Sequence, residues 1–248
     1  MNSSNFLFIS HRSESLNAPE NTLSSINLAW QRNVDAVEID VRLTKVKKIV
    51  AIHDKSTKRT GDKNLIIKNT SSTELKSANI SNKIIGEHNS DKMPFLEEVI
   101  ETIPGGKKLF IDIKVKNEIV SYLKDILIKY DYKNKIVLIS CFAEVLKSLK
   151  NELKRIETYL VVEKKWCNFN FDANSLLNFC KQNNLGGVDI KDTHYINQEF
   201  VNIFKNNNIN IYIWTVNDTK RVKELYNFGV NGVTSDKAGF IKEKLNIN

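Results

Sequence analysis

Short apolar or alternating runs recur along the chain and are separated by segments of a different period. Apolar or alternating runs of four to eight residues predict eight strands, at 6–10, 36–43, 108–115, 136–141, 156–162, 187–191, 210–216 and 232–236. Apolar positions three or four residues apart predict helices between them, at 23–32, 95–102, 118–130, 144–153, 175–182, 198–205 and 220–228. A strand followed by a helix, repeated until there are eight strands in about 250 residues, is typical of a (β/α)8 TIM barrel.

One interruption breaks this repeat between the second and third main strands. A strand-like run at 49–54 is followed by a polar stretch over about 55–92. That stretch is too short and too polar to bury a core of its own, so we expect a small insertion in a single domain over 1–248. An open doubly wound sheet is the alternative architecture. The sequence HRSESLNAPENT after the first strand has no glycine-rich phosphate turn, which favours the barrel.

Carboxylates stand where barrel strands are normally apolar. Glu38 and Asp40 are two residues apart, which places them on one face of the second strand, and Asp112 and Lys114 repeat that spacing on the next main strand. Buried carboxylates are costly without a cation, and oxygen ligands suit Ca²⁺ or Mg²⁺. From spacing alone, a divalent metal site and a ring of salt bridges that uses Lys114 and Arg42 are equally compatible with the pattern.

Two of the four histidines follow predicted strands directly. His11 follows FLFIS and His53 follows IVAI. Histidine transfers protons readily near neutral pH, and two of them beside a carboxylate cluster favour acid–base chemistry over a structural role. His88 lies in the insertion and His194 after the sixth main strand, and we expect both to be loop or surface residues.

Composition and the cysteine pattern favour a globular protein of a reducing compartment. Of 248 residues 41% are hydrophobic and 27% charged, enough apolar material for one sizeable core. No apolar run reaches the roughly 20 residues of a membrane helix, and the amino terminus has no basic segment before its short apolar stretch. Cys141, Cys167 and Cys180 are odd in number and contain no CxxC pair. We therefore expect a cytoplasmic protein without a membrane span.

The formal net charge of +8 favours an anionic partner. The lysines are spread singly among asparagines and isoleucines and form no basic stripe along the sequence. This distribution favours a small anionic substrate over nucleic acid. Nothing in the sequence indicates the oligomeric state.

Several motifs occur together in a specific order. FISHRSESLNAPENT is followed by AVEIDVRLTK, IVAIHD and STKRTGDK, and later by MPFLEEVI, FIDIK, IWTVN and GVNGVTSD. In this order the chain resembles the glycerophosphodiester phosphodiesterase family over nearly its whole length, most densely before residue 60. The resemblance implies a TIM barrel and a metal-dependent hydrolase that releases glycerol 3-phosphate and an alcohol from a small glycerophosphodiester.

The resemblance also implies a role for each matching residue. Two histidines match the acid–base pair, three carboxylates match the ligands of a divalent metal ion, Ca²⁺ or Mg²⁺, and five residues match positions that bind or shape the substrate site. These sets are His11 and His53; Glu38, Asp40 and Asp112; and Arg12, Lys114, Trp214, Glu20 and Asn21. For Glu20 and Asn21 the alternative is loop bracing and helix capping, and for Trp214 it is a place in the barrel core.

The chain departs from the family at a few positions. Ser13 replaces a glycine, Asp112 replaces a glutamate, and residues 46–48 replace an Asp-Gly turn. No proton-transfer group is lost. Two other functions stay open: a phospholipase D-like lyase that stops at a cyclic phosphate, and a barrel that binds anionic lipid or polymer without turnover.

Overall fold

Alternation along the strands sorts side chains to the two sides of one curved sheet. The computed structural model describes residues 6–81, 90–153, 155–163 and 172–247. Its strands are β1 (Leu7–Ser10), β2 (Ala36–Leu43), β3 (Ile49–Ala51), β4 (Lys108–Ile113), β5 (Ile136–Ser140), β6 (Glu157–Val162), β7 (Gly187–Lys191), β8 (Asn210–Trp214) and β9 (Gly232–Ser235). The eight predicted main strands are confirmed, and several end one or two residues earlier than expected.

The sheet closes on itself. β1 pairs in parallel with both β2 and β9, and the order around the ring is β1, β2, β4, β5, β6, β7, β8, β9. β3 lies outside the ring, antiparallel to the end of β2. The structure is therefore the predicted closed barrel, with its insertion between the second and third barrel strands.

Helices cover the outside of the ring. They are α1 (Leu23–Gln31), α2 (Ser72–Ser77), α3 (Leu96–Ile100), α4 (Val120–Lys129), α5 (Ala143–Glu152), α6 (Ala173–Gln182), α7 (Gln198–Lys205), α8 (Thr219–Phe228) and α9 (Ala238–Leu245). The seven predicted helices are present, while α2 in the insertion and α9 after the last strand were not predicted. In α9 the apolar signal is weak because Phe240 is 49% exposed and only small residues and Ile241 are buried.

Two apolar zones follow from the alternation. In β4, Leu109, Ile111 and Ile113 point outward into the large cluster beneath the helices, whereas Phe110 points into the barrel. The interior of the barrel is closed by aromatic rings, with centroids of Phe110 and Tyr212 5.4 Å apart. By the same alternation, polar residues of β2, β4 and β7 face the interior above these rings. The barrel thus presents its polar interior at the carboxyl ends of the strands.

The described part of the chain includes no helix that is long and apolar enough to cross a membrane.

A separate small cluster of buried residues supports the insertion. It consists of Val50, Ile52, Ile67, Leu75, Ile80 and Met93.

Two turns that depart from the family pattern have left-handed backbone. Arg12 and Ser13 have φ of 48° and 71°, and Lys47 in the hairpin between β2 and β3 has φ of 64°. A side chain in this region is strained, which explains why glycine suits these positions. Ser13 is fully buried, and its hydroxyl has no hydrogen-bond partner among the described residues.

Ser13→Gly should therefore stabilise the protein. We expect removal of the strain to contribute about 1 kcal/mol, which raises the melting temperature by roughly 2–4 °C for a chain of this size. Thermal unfolding followed by circular dichroism measures this. Lys47→Gly is the control, because Lys47 has the same left-handed backbone conformation at an exposed turn and has no buried hydroxyl. An unchanged or lower melting temperature for Ser13→Gly would contradict the strain argument.

Candidate active site

Three buried carboxylates meet at the carboxyl ends of β2 and β4. The register pairs Asp40 with Asp112, and Glu38 precedes Asp40 on the same inward face. One oxygen of each lies within 4.8 Å of the others, and all three residues are at most 6% exposed. The spacing within β2 and its register against β4 are therefore sufficient to build the predicted cluster.

The cluster carries more negative charge than its surroundings neutralise. Burial, and then the carboxylates of Asp40 and Asp112, raise the pKa of Glu38 well above its usual value. Burial likewise raises the pKa of Asp112 although Lys114 opposes the shift. For Asp40 burial is outweighed by Lys114 and Arg12, and its pKa falls. The three carboxyl groups thus cannot all ionise easily without a further cation.

The same residues fit a hard divalent ion. Asp112 Oδ1 is buried and has no hydrogen-bond partner in the described ranges, so one ligand atom is available. Three carboxylate oxygens are the donor set that Ca²⁺ and Mg²⁺ prefer. The donor chemistry and the unpaired oxygen both agree with a metal site.

Two cations contact this cluster. Lys114 Nζ lies 2.5 Å from Asp112 Oδ2 and 3.1 Å from Asp40 Oδ1. Arg12 Nε lies 3.2 Å from Asp40 Oδ2, and the backbone N–H of Arg12 donates to Glu38 Oε2 at 2.8 Å. The salt bridges of the alternative interpretation therefore exist beside the carboxylate cluster and do not replace it.

Arg42 hydrogen-bonds to backbone carbonyls, whereas a ring of salt bridges would pair it with carboxylates. Its guanidinium donates to the backbone carbonyls of His53, at 2.8 Å, and of Lys114, at 3.0 Å. It joins the strand end that carries Lys114 to the loop that carries His53. Arg42 thus braces the site through the backbone.

Both predicted histidines line the same cavity, and each is held by a carboxylate. His11 Nδ1 lies 2.6 Å from Asp236 Oδ1, and His53 Nδ1 lies 2.7 Å from Asp54 Oδ1. A carboxylate at Nδ1 places the ring proton there and leaves Nε2 as the basic nitrogen of a neutral ring. The two pairs have the orientation and electrostatic support that acid–base catalysis needs.

A chain of ion pairs joins His53 to Arg12. Arg59, from the insertion, donates to Asp54 Oδ2 at 2.7 Å and to both oxygens of Glu20 at 2.6 and 2.7 Å. Glu20 Oε1 also accepts from Arg12 at 3.1 Å. The hydrogen bond from Arg59 helps to lower the pKa of Glu20 against the effect of burial. His53, Asp54, Arg59, Glu20 and Arg12 therefore form one connected series.

Asn21 supports the cluster from behind. Its amide nitrogen donates to Asp40 Oδ2 and its amide oxygen accepts from the backbone N–H of Asp40, both at 3.0 Å. The neighbouring Thr22, not Glu20 or Asn21, caps helix α1 by accepting from the backbone N–H of Ser25. These contacts fit the bracing alternative for Glu20 and Asn21, although the capping role belongs to Thr22.

A cavity of about 540 Å³ opens above the cluster. Its walls include both histidines, the three carboxylates, Arg12, Lys114 and, on the opposite side, the half-buried Trp214. The indole N–H of Trp214 donates to the backbone carbonyl of Asp189 at 3.1 Å. The volume suits a small-molecule ligand.

The sequence also leads to predictions for His194, His88 and the cysteines. His194 is exposed in the turn after β7, where its ring packs against Tyr195 with centroids 3.9 Å apart, in agreement with a surface position. His88 and Cys167 lie outside the described residues.

Sequence reasoning did not select four residues that the structure places in or around the site. Asp54 and Asp236 follow strand ends and lie beside the histidines, so their positions alone could have indicated them. Arg59 lies in an irregular segment and gives no comparable signal. Asp189 could have been found by alternation, because it interrupts the apolar run of β7 on its inward face.

Comparisons with known proteins agree with this geometry. The model of the glycerophosphoryl diester phosphodiesterase family matches residues 11–240. A glycerophosphodiester phosphodiesterase from Caldanaerobacter subterraneus is 28% identical over 243 residues, which cover 93% of each chain. Among solved structures, a phosphodiesterase from Oleispira antarctica in complex with the product sn-glycerol-3-phosphate has a TM-score of 0.85, 26% identity and 96% coverage of both chains. A glycerophosphodiester phosphodiesterase from Thermotoga maritima, at 21% identity and a TM-score of 0.79, shares the fold over 97% of this chain and 99% of its own.

The contact between Asp236 and His11 makes the free energy of unfolding depend on pH in the acid range. Burial opposes ionisation of Asp236, but hydrogen bonds from His11 and Asn217 outweigh it and lower the pKa to about 2. A carboxyl group whose pKa is lower in the folded state stabilises the fold above its unfolded pKa of about 4 and loses that contribution as the pH falls. The excess of wild type over Asp236→Asn in free energy of unfolding should be fully present at about pH 4 to 5 and should shrink as the pH falls towards 2.

Urea unfolding at several pH values between 2 and 7 measures this gap. Asp125→Asn, at an exposed position on α4, is the matched control and should show no such change. A difference between wild type and Asp236→Asn that is independent of pH would contradict the argument.

Proposed function

The chain belongs to the glycerophosphoryl diester phosphodiesterase family, and we propose that it hydrolyses glycerophosphodiesters to glycerol 3-phosphate and an alcohol with the help of a divalent metal ion. The observation that carries this proposal is the pair of carboxylate-held histidines on the wall of a cavity whose floor holds three carboxylates. The product complex of the Oleispira antarctica relative supports glycerol 3-phosphate as the product.

Glu38, Asp40 and Asp112 would hold the metal ion, Ca²⁺ or Mg²⁺. When bound, such an ion supplies a Lewis acid that polarises a phosphoryl oxygen. Binding would also relieve the repulsion among the three carboxylates, which adds to the effect of burial in raising the pKa of Glu38.

The histidines would move the protons. The basic Nε2 of one neutral ring takes the proton of the glycerol 2-hydroxyl as its oxygen attacks phosphorus, and the other ring, which starts as an imidazolium, protonates the oxygen of the departing alcohol. A cyclic phosphate and a free alcohol result. Water then opens the ring with the two roles reversed, so that both histidines regain their starting states. Asp236 and Asp54 stabilise each imidazolium as it forms.

Arg12 and Lys114 would bind the phosphoryl oxygens. The planar fork of Arg12 suits two oxygens, and Lys114 acts as a point charge beside the carboxylate cluster. Glu20 and Asn21 would act through these groups by holding Arg12 and Asp40 in place. Trp214 would flank the glycerol carbons on the far wall of the cavity.

The setting of the reaction is also a proposal. We infer a single domain over 1–248 that works in a reducing, cytoplasmic compartment on a small-molecule substrate, without nucleic acid. The cysteine pattern and the scattered lysines support this setting.

Replacing either histidine by alanine tests the proposed function. We expect His11→Ala and His53→Ala each to lower turnover by roughly 10²-fold or more, since general acid and base steps typically contribute 10² to 10⁴. The measurement is release of glycerol 3-phosphate from a panel of glycerophosphodiesters, with and without chelator. His194→Ala, outside the cavity wall, is the control and should match wild type.

The same assay separates the competing functions. Cyclic phosphate as the final product would identify a lyase, and failure of wild type to hydrolyse any diester with Ca²⁺, Mg²⁺ or Mn²⁺ would favour a non-catalytic binder. Near-normal turnover in one of the two variants would remove that histidine from the mechanism.

Asp112 provides the test of the metal site. We expect Asp112→Asn to weaken metal affinity strongly because it removes a charged ligand, and Asp112→Glu to be tolerated because it keeps the carboxylate. Metal-dependent activity and the metal-induced rise in melting temperature give two independent readouts. If Asp112 serves only as a partner of Lys114, Asp112→Asn would instead lower stability by removing the closer of the two carboxylates that pair with the lysine, and both metal titrations would match wild type.

A further inference from the structure

One buried carboxyl group in the cavity has no part in the mechanism above. Asp189 lies on β7, which is opposite β2 in the eight-membered ring, and faces the cavity between Val161 on β6 and Tyr212 on β8. It is only 4% exposed. Its strand therefore faces the strand that carries Glu38 and Asp40, and the same cavity lies between them.

The environment of Asp189 does not satisfy its side chain. Its Oδ1 atom has no hydrogen-bond partner among the residues that the structure describes. Burial, with the nearby Asp112 as a smaller contribution, raises the pKa of Asp189 to about 8 although Lys114 opposes the shift. A buried polar group without a partner costs free energy of folding, and a hydrophobic residue of similar size would be more favourable. A ligand that completes its hydrogen bonding would explain why an acid stands there.

The surroundings of Asp189 indicate which part of a substrate can reach it. Arg12 and Lys114, the cations suited to phosphate, follow β1 and β4, and each of these strands is three positions from β7 around the ring. The wall near Asp189 includes the apolar side chains of Ile139 and Val161. The group that reaches Asp189 should therefore be an uncharged part of the substrate, not its phosphate.

Trp214 lines the same cavity as Asp189. Its indole N–H donates to the backbone carbonyl of Asp189 at 3.1 Å, which anchors the ring to β7. An apolar ring face next to a group that both donates and accepts hydrogen bonds suits a short carbon chain that ends in a hydroxyl. A neutral carboxyl group can both donate a hydrogen bond to a hydroxyl and accept one from it.

We propose that Asp189 is a specificity-determining residue that hydrogen-bonds the terminal hydroxyl of the glycerol moiety and selects a polyol over an alkyl group. This inference rests on the proposed hydrolysis of glycerophosphodiesters. The reacting 2-hydroxyl lies near the histidines and the carboxylate cluster. The terminal hydroxyl forms a hydrogen bond with the unpaired oxygen of Asp189. Sites built to hydrogen-bond a hydroxyl strongly reject analogues that lack it.

The test uses two matched diesters. One carries glycerol, and the other carries propane-1,2-diol, which keeps the reacting 2-hydroxyl and replaces the terminal hydroxyl by hydrogen. We expect wild type to favour the glycerol diester by at least about 10-fold in kcat/KM, mainly through KM. In Asp189→Leu the ratio should fall to near one, while Asp189→Asn, whose amide also donates and accepts, should keep most of the preference.

The outcomes separate this inference from the function on which it rests. Hydrolysis of both diesters by wild type with equal efficiency would contradict the role of Asp189 and leave the proposed function intact, whatever the folding of the variants. An equal loss on both diesters in Asp189→Leu, with the ratio unchanged, would also contradict it and indicate a packing role. Failure of wild type to hydrolyse either diester would contradict the proposed function and this inference with it. Thermal unfolding of each variant shows whether the fold is intact, and Asp189→Leu should melt at or above the wild-type temperature.

Discussion

Mutual repulsion among three buried carboxylates is the constraint around which the active site is arranged. The register that pairs Asp40 with Asp112 forces their side chains into one small volume together with Glu38. Lys114 and Arg12 offset part of this repulsion, and Asn21 holds Asp40 from behind. The cations proposed to bind phosphate are thus also the cations that make the carboxylate cluster tolerable, so in this proposal the same charges serve folding and substrate binding.

Alternation along strands is the reason that so much of the fold and site follows from the sequence. In β2 it separates Val37, Ile39 and Val41, which face the helices, from Glu38 and Asp40, which face the cavity. The sequence therefore predicts the barrel, the insertion, the carboxylate cluster and the two histidines at strand ends. Strand ends were overestimated because the alternating pattern continues into the loops, as at residues 114 and 115 after β4.

Contacts between loops could not be predicted in the same way. Arg59 reaches Glu20 across 39 positions of sequence, and nothing periodic relates the two. The carboxylates that hold the histidines are intermediate cases. Asp54 is adjacent to its histidine, whereas Asp236 meets His11 only because β9 pairs with β1 to close the ring. Closure of the barrel therefore creates a contact that no local pattern encodes.

The ion-pair series that passes through Arg59 makes the active site depend on the insertion. Arg59 belongs to a segment whose own buried cluster has six members among the described residues, far fewer than the core beneath the helices. Parts of a protein with few buried contacts open locally at a free-energy cost no larger than that of global unfolding. Each such opening would release Asp54 and Glu20 together, and so disengage one histidine and Arg12 in a single event while the barrel stays folded. On this argument, heating would remove activity at or below the melting temperature of the barrel.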